Sequence, residues 1–194
     1  MSQRTFNFVL LFSFWLVAAA AVGGYGLLRV VPRPVLQIVL VSLTLVLLLS
    51  YRFWPYFRDF VRGLPLRFLI LIHVTRFVGY YFLILYAKGQ LPYAFAVPGG
   101  WGDIAVAASA IGLCCLPLHT PLGKRVALAW NVLGLLDILL VVGTAAVLGA
   151  TNPMSMLALT VPPLCLLPTF LVPIIIASHV VIFARLLGPN EKPK

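Results

Sequence analysis

The sequence predicts an all-α fold, a polytopic helical membrane bundle with six transmembrane helices in a single integral membrane domain over residues 1–194. Of the 194 residues, 62% are hydrophobic and only 9% are charged, whereas a soluble domain carries roughly 25% charged residues. Apolar runs of ~17–25 residues recur, and each is long enough to cross a hydrocarbon layer of about 30 Å as a helix. These observations exclude a water-soluble globule.

Six apolar runs are predicted to cross the membrane. They cover residues 6–28, 34–50, 68–87, 101–118, 126–148 and 164–186. The first run is longer than the ~7–15 residues of a signal-peptide core, so we interpret it as a retained helix. Cys114 and Cys115 fall near one membrane face and Cys165 near the other, too far apart for a disulfide.

The basic residues indicate membrane topology and not a nucleic-acid partner. The net charge is +10, but the fourteen basic residues lie between the apolar runs and form no single stripe. With a cytoplasmic N-terminus, the outer loops hold Arg29, Arg33 and Lys88, and Arg76 is within a span. The ten inner residues are Arg4, Arg52, Arg58, Arg62, Arg67, Lys124, Arg125, Arg185, Lys192 and Lys194. Because cytoplasmic loops carry the excess of Lys and Arg, both termini are predicted to be cytoplasmic, in a cell inner (plasma) membrane.

The inner loop at residues 52–67 is predicted to contain a short interfacial helix near residues 55–64. Its apolar residues recur at helical spacing on one face, with Arg58 and Arg62 off that face. Such a segment can lie in the membrane interface with its arginines toward anionic lipids. The alternative is an aromatic belt with snorkelling arginines, without a specific lipid site.

The segment at residues 88–103 is predicted to be an outer loop. It contains aromatic residues and prolines, and it carries no charge between Lys88 and Asp103. Asp103 is predicted to cap the fourth span, because its carboxylate can accept the free amides at a helix start. Whether this loop covers a cavity is left open.

Five polar residues inside the spans form the candidate site. His73, Asn131 and His179 each lie six residues from a basic residue at the inner end of their span. At 1.5 Å per residue, all three are roughly 9 Å deep, in the cytoplasmic half. Arg76 would be about 13 Å deep and Asp137 about 18 Å. Three helices are therefore predicted to bring polar groups to one level.

The charged residues of this set are predicted to contact each other. His73, Arg76 and Tyr80 follow i, i+3, i+7 spacing and would share one side of an α-helix. Leaving Arg76 or Asp137 against lipid would cost about 2.5–3.5 kcal/mol on insertion scales. Mutual pairing is the least costly alternative, so we predict that Arg76 points into the bundle toward Asp137.

Three functions are compatible with this pattern, and no catalytic residue is assigned. The first is binding or transport of a small polar or anionic ligand by His73, Arg76, Asn131, Asp137 and His179. The second is electron transfer by a b-type haem whose iron is ligated by His73 and His179. The third is a non-catalytic small subunit of a larger membrane complex, or a homo-oligomer, in which the polar core only specifies helix packing.

Overall fold

The fold of the chain is taken from a computed structural model, which describes residues 3–188 except for the side chains of Arg4 and Arg33. Lys192 and Lys194, which were counted in the predicted topology, lie outside the described residues. The helices are α1 (Gln3–Gly24), α2 (Arg33–Phe53), α3 (Pro55–Gly63), α4 (Leu66–Ala87), α5 (Tyr93–Cys114), α6 (Pro121–Thr151) and α7 (Leu167–Leu187).

Between residues 3 and 188 the chain is helical, with no β-strand, and six helices are long and apolar enough to span a membrane. These six are all of the helices named above except α3. A helical turn at Leu27–Val30 follows α1, and a 3-10 helix at Pro153–Thr160 follows α6. The chain is therefore a multi-pass membrane protein, as its composition predicts.

The predicted short helix near residues 55–64 is present as α3. Phe57 and Val61 on one face are buried, and Phe57 belongs to an aromatic cluster that joins α3 to the start of α1. In that cluster the rings of Phe8 and Phe60 stack with their centroids 4.7 Å apart. The apolar face of α3 is thus covered by protein, and its location relative to a lipid surface stays a prediction.

Arginine side chains join the helix ends at one end of the bundle. Arg67 at the start of α4 donates to the carbonyl of Leu116, just after α5. Arg185 near the end of α7 donates to the carbonyls of Leu64 and Arg62, which precede α4. We call this the basic end of the bundle and the other the opposite end.

Two membrane-spanning helices contain stretches that are not α-helical. In α4, residues Ile72–Phe77 form a 3-10 helix, and in α7, residues Leu167–Leu171 form a π-helical turn. Pro168 and Pro173 lie at or just after that turn. Because proline has no N–H to donate, it interrupts the regular α-helical hydrogen bonds there.

The predicted outer loop at residues 88–103 is wrong from Tyr93 onward. Helix α5 begins at Tyr93, contains Pro98, and continues through Asp103. Asp103 is therefore in the third turn of a helix and buried, and it does not cap one. Glycines in this segment are used for close helix packing, which is common between membrane helices.

The closest approach of α4 and α5 is made by two glycines. A Cβ on Gly79 would meet the backbone carbonyl of Gly100 and lie 2.7 Å from the Cβ of Asp103. A Cβ on Gly100 would lie 2.8 Å from the carbonyl oxygen of Gly79. The absence of side chains at both positions lets the two backbones touch, which brings Asp103 next to α4.

Replacing Gly79 by alanine is expected to push α4 and α5 apart and to lower stability, because its Cβ meets backbone and not a flexible side chain. We expect a loss of roughly 1–3 kcal/mol, the usual cost of overpacking, measured by unfolding in detergent micelles. Gly112→Ala in α5 is the matched control, since a Cβ there meets nothing within 4 Å. Equal stability of the two variants would contradict this packing.

Candidate functional site

The centre of the bundle contains Arg76, whose side chain binds two neighbouring helices. Its Nε donates to Oδ1 of Asp103 in α5 at 2.6 Å. Its Nη1 donates to the carbonyl of Gly134 in α6 at 2.9 Å, and its Nη2 pairs with Oδ2 of Asp137. The predicted contact between Arg76 and Asp137 is present, and Asp103 is a second partner that the sequence analysis placed elsewhere.

Glycine makes room for this ion-pair network. The carboxylate of Asp137 packs against Gly102 of α5, where any Cβ would overlap it. Gly134 of α6 leaves its carbonyl open to Arg76, and a Cβ there would lie 2.8 Å from Cε1 of His179. Two glycines on facing helices therefore let charged and aromatic side chains enter a crowded interior.

The charges of the network do not balance. Arg76 contributes one positive charge, whereas Asp103 and Asp137 contribute two negative charges when both are ionised. The side chains of Arg76 and Asp103 are 1% and 4% exposed, and that of Asp137 is 22% exposed. An uncompensated charge in such surroundings is costly, so one further positive charge, a proton or a cation, would stabilise the site.

Next to this network lies a buried histidine cluster. Asn131 bridges to α7, with its Oδ1 2.8 Å from Nδ1 of His179 and its Nδ2 donating to the His179 carbonyl at 3.0 Å. The rings of His73 and His179 are in contact, with centroids 4.2 Å apart. His73, Asn131 and His179 thus meet, as their common depth predicts.

Each histidine has one ring nitrogen without a hydrogen-bond partner among the described residues: Nδ1 of His73 and Nε2 of His179. The Ser178 hydroxyl donates to the Ile175 carbonyl at 2.8 Å, so Nε2 of His73, 3.0 Å away, is the donor to Ser178. Nδ1 of His179 likewise donates to Asn131. In this pattern both unused nitrogens are acceptors.

Tyr80 does not share the buried face of α4 with His73 and Arg76. It is 65% exposed, whereas the two others are buried. The 3-10 stretch at Ile72–Phe77 explains the difference, because each of its residues turns by about 120° in place of the 100° of an α-helix. The predicted i, i+7 relation therefore fails at Tyr80, and the i, i+3 relation between His73 and Arg76 holds.

The histidine pair does not fit around a haem. An iron between the rings would hold each ligating nitrogen at about 2 Å, so the ring centroids would be about 6 Å apart. The observed 4.2 Å is direct ring contact at an interplanar angle of 50°, which leaves no slot for a porphyrin. Within residues 3–188, no group of three or more His, Cys, Asp or Glu side chains is placed to hold a metal ion.

A cavity lies between Arg76 and the opposite end of the bundle. This cavity, which we call cavity 1, has a volume of about 70 Å³ and lies between α2, α4, α5, α6 and α7. Arg76, Asp103 and Gln37 line it among mostly apolar residues, and Oε1 of Gln37 is buried without a hydrogen-bond partner. Since one water needs about 10–15 Å³ of such space, cavity 1 has room for several waters or a small organic group.

A second, larger cavity lies toward the basic end of the bundle. Cavity 2 has a volume of about 510 Å³ and lies between α1, α2, α3, α4 and α7. Its wall is almost wholly apolar, with residues such as Phe12, Phe60 and Val181. Ser178, the partner of His73, is one of its few polar residues.

Sequence reasoning missed Asp103, Gln37 and Ser178 as members of this region. A carboxylate following a glycine-rich segment is typical of a helix cap, so Asp103 was assigned to the membrane surface. The available signal was its charge, because only four acidic residues exist in the chain and a buried arginine needs partners. Ser178 and Gln37 carry no local signal.

Residues 33–187 match the model of a protein family described as a domain of unknown function, DUF8737. The match covers most of the chain, so the chain belongs to this family. It includes α2 to α7 and every residue of the candidate site, while α1 precedes it. No curated protein and no solved structure matches the chain.

Removal of the Arg76 charge is expected to destabilise the protein strongly. Arg76→Met leaves the buried carboxylate of Asp103 and the partly buried one of Asp137 without their partner, and breaking a buried pair costs roughly 3–5 kcal/mol. We expect the triple variant Arg76→Met, Asp103→Asn, Asp137→Asn to recover part of this loss, because no charge is then left unpaired. Arg29→Met, at an exposed position, is the control and should change unfolding by less than about 0.5 kcal/mol. A triple variant no more stable than Arg76→Met would contradict the pairing.

Proposed function

We propose that this protein binds a small ligand in cavity 1 and exchanges it against a proton at the site formed by Arg76, Asp103 and Asp137. The observation that supports this proposal is the presence of two carboxylates, one buried and one partly buried, for a single buried arginine. In a medium of low dielectric, a net charge of −1 is unfavourable. A proton on the carboxylate pair or a cationic group in cavity 1 removes it, and the two compete because only one charge is missing.

The charge of the site favours a cationic ligand over an anionic one. The sequence suggested a small polar or anionic ligand because Arg76 supplies a positive charge inside a span. All three guanidinium nitrogens of Arg76, however, already donate to acceptors of the protein. Gln37 lines cavity 1, and its Oε1 is a buried acceptor without a hydrogen-bond partner among the described residues, which would attract a donor or a positive charge.

The ligand site is proposed to lie in the outer half of a cell inner membrane. The distribution of basic residues supports cytoplasmic termini, which makes the basic end cytoplasmic. Cavity 1 then lies on the outer side of Arg76, and the histidine cluster lies on the cytoplasmic side. In this arrangement the arginines of residues 52–67 are near the anionic lipids of the cytoplasmic leaflet.

A second candidate function is supported by the three hydrogen bonds that Arg76 makes to neighbouring helices. Its hydrogen bonds tie α4, α5 and α6 together, so the polar core can specify helix packing in a subunit of a larger complex or of a homo-oligomer. In that case the protein binds no cation and releases no proton.

Proton release on cation binding separates the two candidates. Purified protein in lipid nanodiscs is titrated with methylammonium, a cation small enough for cavity 1, in weakly buffered solution at several pH values below the pKa of methylammonium itself. We expect release approaching one proton per protein at the pH where the site is protonated.

The acidic variants identify the source of the proton. Asp103→Asn and Asp137→Asn are expected to abolish the release, because each removes one of the two carboxylates, while thermal unfolding confirms that both variants fold. Asp59→Asn, on the exposed side of α3, is the matched control and should behave as the wild type. A wild-type protein that releases no proton at any pH would contradict the proposal and favour the packing role.

A further inference from the structure

Helix α1 is attached to the rest of the bundle by large aromatic side chains. Near its start, the ring of Phe8 stacks on that of Phe60 in α3, with the centroids 4.7 Å apart. Two turns later, the ring of Trp15 contacts that of Phe170 in α7 at 4.8 Å, and its Nε1 donates to the Thr169 carbonyl at 2.9 Å. The space beside these contacts, between α1 and helices α2, α4 and α7, is cavity 2.

One face of α1 forms a wall of cavity 2. The α1 residues that line it recur at i, i+4, i+7, i+8 and i+11, the spacing of a single helix face, and are Thr5, Val9, Phe12, Ser13 and Leu16. The cavity is partly open to the surroundings of the protein, and no charged side chain among the described residues lines it. In a bilayer, such an open apolar space favours hydrocarbon over water or a polar solute.

The length of cavity 2 matches one leaflet of a bilayer. At 1.5 Å per residue, the stretch of α1 from Thr5 to Leu16 is about 16 Å long. Half of the hydrocarbon core of a bilayer is about 15 Å thick. The volume of about 510 Å³ is several dozen times the roughly 10–15 Å³ that one water needs. Cavity 2 therefore has room for an acyl chain that runs from the basic end along α1.

Positive charge is concentrated at the end of cavity 2 that α3 borders. Phe57, Phe60 and Val61 of α3 line the cavity there. Residues 52–67 carry four arginines and a single acidic residue. Arg58, next to Phe57, has a buried Nε without a hydrogen-bond partner among the described residues. Because a phosphate oxygen is a strong acceptor for a guanidinium N–H, an anionic headgroup complements this end.

We propose that cavity 2 binds one acyl chain of an anionic phospholipid whose phosphate group contacts Arg58. The apolar walls bind the chain, and the arginines of α3 select the charge of the headgroup. The bound chain fills the space between α1 and helices α4 and α7, so the lipid joins α1 to the bundle. This site is separate from the Arg76 network, and the inference does not depend on a cation in cavity 1.

The test compares two phospholipids that have identical oleoyl chains and different headgroups. Delipidated protein in detergent micelles is titrated with dioleoylphosphatidylglycerol, which is anionic, or with dioleoylphosphatidylcholine, which has no net charge. Native mass spectrometry measures the binding of the first lipid. We expect phosphatidylglycerol to bind about tenfold more tightly, because a hydrogen bond between two charged groups is worth at least that factor.

Two variants fill cavity 2 from opposite walls. Ser13→Trp in α1 and Ala177→Trp in α7 place an indole in the cavity and should weaken binding of both lipids about tenfold or more. The reason is that an acyl chain that loses burial of two CH₂ groups already loses about tenfold in affinity. Ala108→Trp, at an exposed position of α5, is the matched control and should bind both lipids as the wild type does.

Replacement of Arg58 tests the recognition of the headgroup. Arg58→Gln should lower the affinity for phosphatidylglycerol to about that for phosphatidylcholine, and should leave phosphatidylcholine binding unchanged. Arg29→Gln removes an exposed arginine beyond the other end of α1 and should keep the wild-type difference between the two lipids.

Photo-crosslinking locates the chain in the wild-type protein and does not depend on how the variants fold. Phosphatidylglycerol with a diazirine in one acyl chain is bound at one lipid per protein and irradiated. We expect it to label the parts of α1 and α7 that line cavity 2. Labelling spread evenly over the exposed surfaces of the helices would reject the site.

The other outcomes are equally distinct. Phosphatidylglycerol binding that Ser13→Trp and Ala177→Trp leave unchanged rejects cavity 2 as the site and favours an arginine belt without a chain-binding cavity. Equal wild-type affinity for the two lipids rejects the recognition of an anionic headgroup. None of these results involves proton release at Asp103 and Asp137, so this inference can fail while the proposed function stands.

Discussion

The burial of Arg76 is the constraint on which the rest of the bundle depends. A guanidinium in the middle of a membrane helix needs acceptors on the neighbouring helices, and Asp103, Gly134 and Asp137 supply them. Such a network adds little stability compared with an apolar core, but it fixes which faces of α4, α5 and α6 meet. The same constraint explains the glycines at the helix contacts. The partners reach Arg76 only where helix backbones come close, and glycine allows that approach.

The excess carboxylate gives this network a chemical property beyond packing. One arginine and one aspartate together would carry no net charge. The second aspartate adds a negative charge, which a proton or a cation can neutralise. Cavity 1 reaches Arg76 and Asp103 from one side, and cavity 2 ends beside Thr75 on the other. The unbalanced charge and cavity 1 thus meet at one level of the bundle, which is the basis of the proposed ligand site.

Much of the fold could be predicted from composition and residue counting, because a membrane span needs a minimum apolar length and a charge inside it needs a partner. The same residue counts predicted that His73, Asn131 and His179 lie at one depth and that Arg76 contacts Asp137. Residue counting did not predict the location of Asp103. Glycine and Pro98 favour a loop in the local sequence, whereas packing against α4 and α6 keeps this segment helical. Residue counting failed at Tyr80 as well, because a 3-10 stretch has no signature in the apolar pattern of α4.

The central claim is that the two carboxylates beside Arg76 share one exchangeable proton. Infrared difference spectroscopy of the protein in lipid detects a protonated carboxylic acid by its carbonyl stretch, which shifts in heavy water. The account predicts such a band in the free protein, its loss when methylammonium binds, and its absence from Asp103→Asn and Asp137→Asn but not from Asp59→Asn. Two carboxylates that stay ionised with and without the cation would contradict the account.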